Sequence, residues 1–192
     1  MKTTDTQLTA NILTFSQRYV EQYQEKLQHL PLVEHDEQWP SPCLQNKFDE
    51  KLMCWQPVEM QPALSFANLE DALDLVIHPS IVHYFTTIFS ENIPASCSEG
   101  HLQLLFAWSE DDFARLQENL IGHVLMKQKL KQTVTLFFAV TDDDNIMLTV
   151  ENESGEVWAE RVGCKPHKKI ADSLTDFIAS LQPDIYIEPE TD

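Results

Sequence analysis

The sequence predicts an α+β fold: a single domain with a mainly antiparallel sheet covered by helices. Three observations predict it. Stretches with apolar residues every three or four positions are unevenly interleaved with shorter strand-like runs. Near the C-terminal third, "TVTLFFAV", "IMLTVEN" and "EVWAERV" follow one another across the tight turns "TDDDN" and "ESG", the pattern of an antiparallel meander. The chain has 192 residues, 43% of them apolar, which suits one domain with a sizeable core and not a disordered acidic chain.

The elements follow in order. Leu8, Ile12, Phe15, Tyr19, Tyr23 and Leu27 line one face of an amphipathic helix over Thr6 to Gln28, with Pro31 beyond its end. In "PLVEHDEQWPSPC", Pro40 and Pro42 oppose regular structure, so a loop is expected. "KLMCWQP" (Lys51 to Pro57) is a strand candidate. Asn68 precedes "LEDALDLVI" with Asp71 three residues on, which predicts a capped helix with Leu69, Leu73, Val76 and Ile77 as its buried stripe. Pro79 then opens a second short helix in "SIVHYFTTIF". "HLQLLFAW" (His101 to Trp108) reads as a strand. The three meander strands come later, and Ile170, Leu174, Ile178 and Leu181 mark a C-terminal helix after Pro166. The domain is expected to span 1–183, with 184–192 as an acidic tail. No repeat, low-complexity tract or linker interrupts it.

Between "HLQLLFAW" and the meander lies "SEDDFARLQENLIGHVLMKQKLK". Ser109 is a natural N-cap, and Asp112 sits three residues on to complete a capping box. Glu110, Asp111 and Asp112 complement the positive end of the helix dipole. Lys127, Lys129 and Lys131 complement the negative end, each by about 0.3–1 kcal/mol. Phe113, Leu116, Leu120, Val124 and Leu125 form the expected core stripe. Gly122 has no role in such a helix, where glycine costs about 1 kcal/mol relative to alanine. A close backbone approach would justify it; so would chance. The polar cluster Gln117, Glu118, Asn119 beside it is not required by helix design either.

Charge narrows the function. Thirty-one acids against 13 bases give −18. That opposes direct binding to nucleic acid or to an anionic lipid surface and suits a basic protein partner, although solubility alone accounts for the charge equally well. No Lys or Arg occurs between Lys51 and Arg115, a window holding Glu59, Glu70, Asp71, Asp74, Glu91, Glu99, Glu110, Asp111 and Asp112. Such segregation favours a one-signed surface. Met1 to Ala10 is polar, without the apolar core of a signal peptide, so a cytoplasmic protein with reduced thiols at Cys43, Cys54, Cys97 and Cys164 is expected. No apolar run approaches the ~18 residues of a membrane span.

Catalytic signatures are lacking. The four glycines are dispersed, which opposes a phosphate-binding loop. There is no GxSxG elbow, and neither HExxH nor Cys/His spacing suggests a metal site. No cofactor is expected. An acid pair such as Asp111 and Asp112 can serve acid–base chemistry, but such pairs usually occupy a helix's first turn for the dipole reason above.

"SPC" (Ser41 to Cys43), "WQP" (Trp55 to Pro57), "ALDLVIHPSI" (Ala72 to Ile81), "SEDDFARLQENLIGHVLMKQKLKQTVTLFFA" (Ser109 to Ala139) and "SGEV" (Ser154 to Val157) resemble the Syd family of SecY-interacting proteins, within the SUKH superfamily. The resemblance covers nearly the whole chain. It implies a SUKH-like fold and no enzymatic activity. It also implies a peripheral place on the cytoplasmic side of the inner membrane, alongside a soluble pool. There an acidic concave surface would meet basic cytoplasmic loops of SecY, the channel subunit of SecYEG, and regulate or check SecY assembly. On this reading Glu70, Asp71, Asp74, Glu110, Asp111, Asp112 and Glu118 contribute the acidic surface, except those that serve only as helix caps, Asp71 and Asp112 first among them. His78, Trp108, Asn119 and His123 either line the same groove or pack in the core. Two rivals remain: a SUKH-type immunity protein neutralising a basic nuclease, which an acidic groove suits equally, and a hydrolase built on a carboxylate pair.

Overall fold

The computed structural model describes residues 2–185. The elements run α1 (Lys2–Leu27), β1 (Leu32–Glu34), β2 (Leu44–Lys47), β3 (Leu52–Trp55), β4 (Val58–Glu59), α2 (Ala67–Leu73), α3 (Pro79–Phe85), β5 (Ile88–Phe89), β6 (Ile93–Cys97), β7 (Gly100–Leu104), α4 (Glu110–Lys129), β8 (Thr135–Thr141), β9 (Ile146–Glu151), β10 (Val157–Arg161), β11 (Lys168–Ala171), α5 (Leu174–Ser180) and β12 (Gln182–Pro183). The fold is α+β, as the sequence predicts. A seven-stranded antiparallel sheet has the order β11-β10-β9-β8-β7-β6-β12, with two small sheets, β1-β3-β2 and β4-β5, beside it.

The expected meander is its centre. Leu136 pairs with Val150 across β8–β9, and Val150 with Val157 across β9–β10. The "TDDDN" turn closes through Asp143, whose carbonyl accepts the Ile146 N–H at 2.8 Å and whose carboxylate accepts that of Asn145 at 2.9 Å. Adjacent residues of a strand point to opposite faces, and β8 uses both. Phe138 meets Tyr84 of α3 and Phe177 of α5, with ring centroids 5.6 and 5.7 Å apart. Phe137 meets His123 of α4 at 5.6 Å. Helices therefore cover both faces of the sheet. On α1, Leu8, Ile12, Phe15 and Tyr19 are buried, as their spacing requires, and α1 packs on α3 and α5.

Several local expectations change. Helix α2 starts earlier than the sequence suggests: its N-cap is Phe66, which has no side-chain cap bond, and Asn68 lies inside the helix. Its stripe stops at Leu73, because Asp74 turns left-handed (φ 47°) and throws Val76 outward to 80% exposure while Ile77 returns to the core. Leu125 of α4 is likewise half exposed; the inward positions at that end are His123, Val124 and Lys127. Ile170 belongs to β11, not to the C-terminal helix, which begins at Leu174 under a Ser173 cap. The loop expected around Trp39 holds short β1 at its start. Strands β1, β2, β4, β5, β6, β11 and β12 were not predicted, being two to five residues long and without clear alternation. Asp184 and Ile185, placed in the expected tail, still pack: the Asp184 N–H donates to the Pro94 carbonyl at 3.1 Å, and Ile185 is buried. The rest of the expected tail lies outside the described residues.

Candidate functional site

The acidic end of α4 is built locally. Ser109 Oγ accepts the Asp112 N–H at 3.3 Å, and Asp112 Oδ2 accepts the Trp108 N–H at 2.9 Å. The predicted box forms, with its returning carboxylate bound one residue outside the cap. Glu110 and Asp111 are left exposed in the first turn. Phe113, one turn in, meets Phe66 edge-to-face at 5.2 Å and so sets the start of α2 beside the start of α4. Asp71 and Asp74 are exposed on and just after α2, which packs on α4.

Between the start of α4, the 35–41 segment and the strands lies a groove of about 260 Å³. Trp39, Phe106, Trp108 and Phe137 supply aromatic walls; Glu91, Asp112, Asn119 and Arg115 supply the charged and amide groups. Ser41 Oγ donates to the Trp108 carbonyl at 2.5 Å and accepts the Cys43 N–H at 3.0 Å, pinning the Trp39 segment to the groove's edge. Burial, and secondarily the neighbouring Asp112 charge, pushes the Glu91 carboxyl above its ordinary range, against the opposing pull of the Asn92 N–H. The Arg115 guanidinium lies 3.6 Å from the Trp39 ring centroid. Among the described residues it forms no ion pair with a carboxylate. A cation–π contact at an exposed site is worth about 0.5–1 kcal/mol.

Of the residues expected at the site, Trp108, Asp112 and Asn119 line this groove. Glu110, Asp111 and Glu118 are exposed on α4 outside its lining, and Asp71 and Asp74 are exposed on and just after α2. Glu70 is half-buried and structurally engaged: its Oε1 accepts the Ile77 N–H at 2.9 Å and holds the chain after the left-handed Asp74. The two histidines lie elsewhere. His78 caps α3, with Nδ1 2.8 Å from Ser80 Oγ, and its own N–H donates to Asn152 Oδ1 at 2.9 Å. Its ring fills the space over Gly155, where a Cβ would lie 2.5 Å from Cε1. The close approach sought at Gly122 therefore belongs to Gly155; a Cβ on Gly122 would meet nothing within 4 Å.

His123 faces inward, into a buried polar cluster. Lys127, expected to complement the negative end of the α4 dipole, is fully buried with Glu160. Lys127 Nζ donates to both Glu160 oxygens (3.2 and 3.1 Å) and to the Cys164 carbonyl (2.9 Å). Thr135 Oγ1 lies 3.0 Å from each Glu160 oxygen and 3.1 Å from His123 Nε2. A neutral His123 donating to Thr135, which donates to Glu160, satisfies the chain. Burial first, and Lys127 second, lowers the His123 pKa to about 4.

Comparison with known proteins fits this architecture. Residues 9–183 match the family described as Syd protein (SUKH-2). The chain belongs to the Syd family. Curated relatives named Protein Syd include one from Colwellia psychrerythraea, 55% identical over 190 residues and covering 94% of this chain and 95% of its own. Another from Alteromonas mediterranea is 47% identical over 152 residues (79% and 84%), and one from Pseudoalteromonas atlantica is 40% identical over 154 (79% and 83%). In this Syd family member, sequence reasoning missed most of the groove lining, including Trp39, Glu91 and Arg115. Trp39 and Glu91 sit in short irregular or strand-edge segments with no periodicity to mark them. Arg115 carried a signal, as the first base after the long base-free window. Among the described residues, no three His, Cys, Asp or Glu side chains converge as a metal site would require.

Proposed function

We propose that this protein is a non-enzymatic docking protein that binds basic cytoplasmic loops of SecY. It would thereby associate with the cytoplasmic face of the SecYEG translocon and regulate or check SecY assembly. The observation that carries the reading is the spatial separation of charge along α4. Twenty helical residues span about 30 Å. At one end stand Glu110, Asp111 and Asp112, with Glu91 in the adjoining groove. At the other end stand Lys129 and Lys131, against the 161–165 segment that carries Arg161 and Lys165. The Syd family match adds support, and its near-full-length relatives weigh against the immunity-protein alternative.

Cytoplasmic loops of membrane proteins are enriched in Lys and Arg. An anionic lipid surface repels a chain of charge −18, whereas a basic loop attracts it. Among the described residues no helix is long and apolar enough to cross a membrane, so membrane attachment would run through the protein partner.

The test is co-sedimentation with inverted inner-membrane vesicles, with and without overproduced SecY, across a salt series. Binding should rise with SecY and fall with salt. Asp71→Lys and Glu110→Lys should each weaken it in a folded protein, Glu110→Lys also costing α4 about 0.3–1 kcal/mol through the helix dipole. Asp74 is better probed as Asp74→Asn, because asparagine tolerates its left-handed backbone. Binding indifferent to SecY would remove the reading.

A further inference from the structure

The groove already holds one cation of its own. Arg115 lies over the Trp39 ring, 3.6 Å from its centroid, in a pocket that also presents Glu91 and Asp112, yet among the described residues it pairs with neither carboxylate. An indole face and two carboxylates around one groove form a receptor for a planar guanidinium. We propose that the groove reads an arginine side chain of the partner, and that Arg115 is a built-in competitor which that arginine displaces from Trp39. This rests on the proposed docking function and names the chemistry its groove selects.

Three features support the assignment. First, among the described residues Arg115 is the only Lys or Arg lining the groove, and in the sequence it is the only one between Lys51 and Lys127. Second, its hold is weak: a single exposed cation–π contact corresponds to a factor of about two to five, so an arriving arginine that also reaches Glu91 or Asp112 outcompetes it. Third, Trp39 stands on a segment fixed by Ser41 and remains partly exposed, so its ring face is available once Arg115 swings out. An ammonium group lacks the planar stacking and the bidentate fork, so an arginine should be preferred to a lysine at the same position.

The experiment uses the full chain, its Arg115→Gln and Trp39→Ala variants, and the double variant. Each is titrated by calorimetry with an arginine-bearing peptide of a basic SecY loop and with its lysine twin. The wild type should prefer the arginine peptide by about three- to ten-fold, the margin of one cation–π contact plus one charge-assisted bond. Arg115→Gln should tighten arginine-peptide binding by at least about two- to five-fold, and Trp39→Ala should weaken it. In the Trp39→Ala background the gain from Arg115→Gln should shrink, because the contested ring is gone. An equal gain in both backgrounds would mean that Arg115 acts only as a distant charge. A loss of binding in a folded Arg115→Gln variant would mean that it organises the groove. Either result overturns the competitor assignment while leaving the docking function standing. If no form binds either peptide and the wild type also ignores SecY in vesicles, the docking function itself falls, and this inference with it.

Discussion

Replacing Lys127 by methionine should reverse the sign of this protein's stability–pH slope near neutrality. In the wild type, Glu160 is a fully buried carboxylate neutralised by Lys127, with Thr135 and His123 completing the cluster. His123 titrates at about 4 in the fold against 6.5 in the unfolded chain. As pH falls below 6.5, the unfolded chain binds a proton that the folded chain refuses, so stability drops progressively until pH 4. At 1.36 kcal/mol per pH unit the whole loss is about 3 kcal/mol. Lys127→Met strands the Glu160 charge and leaves the Cys164 carbonyl without its donor, which should cost about 3–5 kcal/mol at pH 8. A domain of this size has roughly 5–15 kcal/mol in total.

With Lys127 gone, His123 is the remaining cation-forming group beside Glu160, at 3.5 Å. The buried pair is then left with one uncompensated negative charge and takes up a proton as pH falls, so the variant gains stability on acidification, opposite to the wild type. Urea unfolding at pH 5.5, 6.5, 7.5 and 8.5 measures both slopes, and the His123 ring proton resonances report its titration directly. If the variant does not fold at pH 8, recovery at pH 5.5 is the same prediction in stronger form. A variant within about 1 kcal/mol of wild type at pH 8, or one keeping the wild-type slope, would refute the idea that a buried charge organises this region.

Two glycines should respond oppositely to alanine. Gly122→Ala should raise stability by up to about 1 kcal/mol in chemical denaturation, because its helical position is open to solvent. Gly155→Ala should lower it by about 1–3 kcal/mol, since φ is +75° and the new methyl would meet the His78 ring that caps α3. Ser109→Ala should cost about 1 kcal/mol through loss of the α4 cap, measured by thermal unfolding. Salt should weaken SecY-dependent vesicle binding far more than it weakens the fold, because the docking charges are exposed whereas the Lys127–Glu160 pair is not.

The sequence by itself determined what short-range chemistry fixes. The period of α1, the Ser109 cap and the alternating β8–β9–β10 runs each compare a residue with neighbours a few positions away, and each is present. It also exposed the one-signed charge of the 52–114 window. Tertiary structure alone decided which polar residues turn inward. His123 and Lys127 lie on one inner edge of α4 and look like ordinary polar positions, until α4 docks on the meander and Thr135 of β8 and Glu160 of β10 come together beneath them. His78 and Gly155 are likewise 77 positions apart, and they meet only because α3 is docked against the β9–β10 turn. The groove follows the same rule. Trp39, Glu91 and Arg115 come from three distant segments, so their shared cavity is a product of packing, which spacing along a chain does not encode.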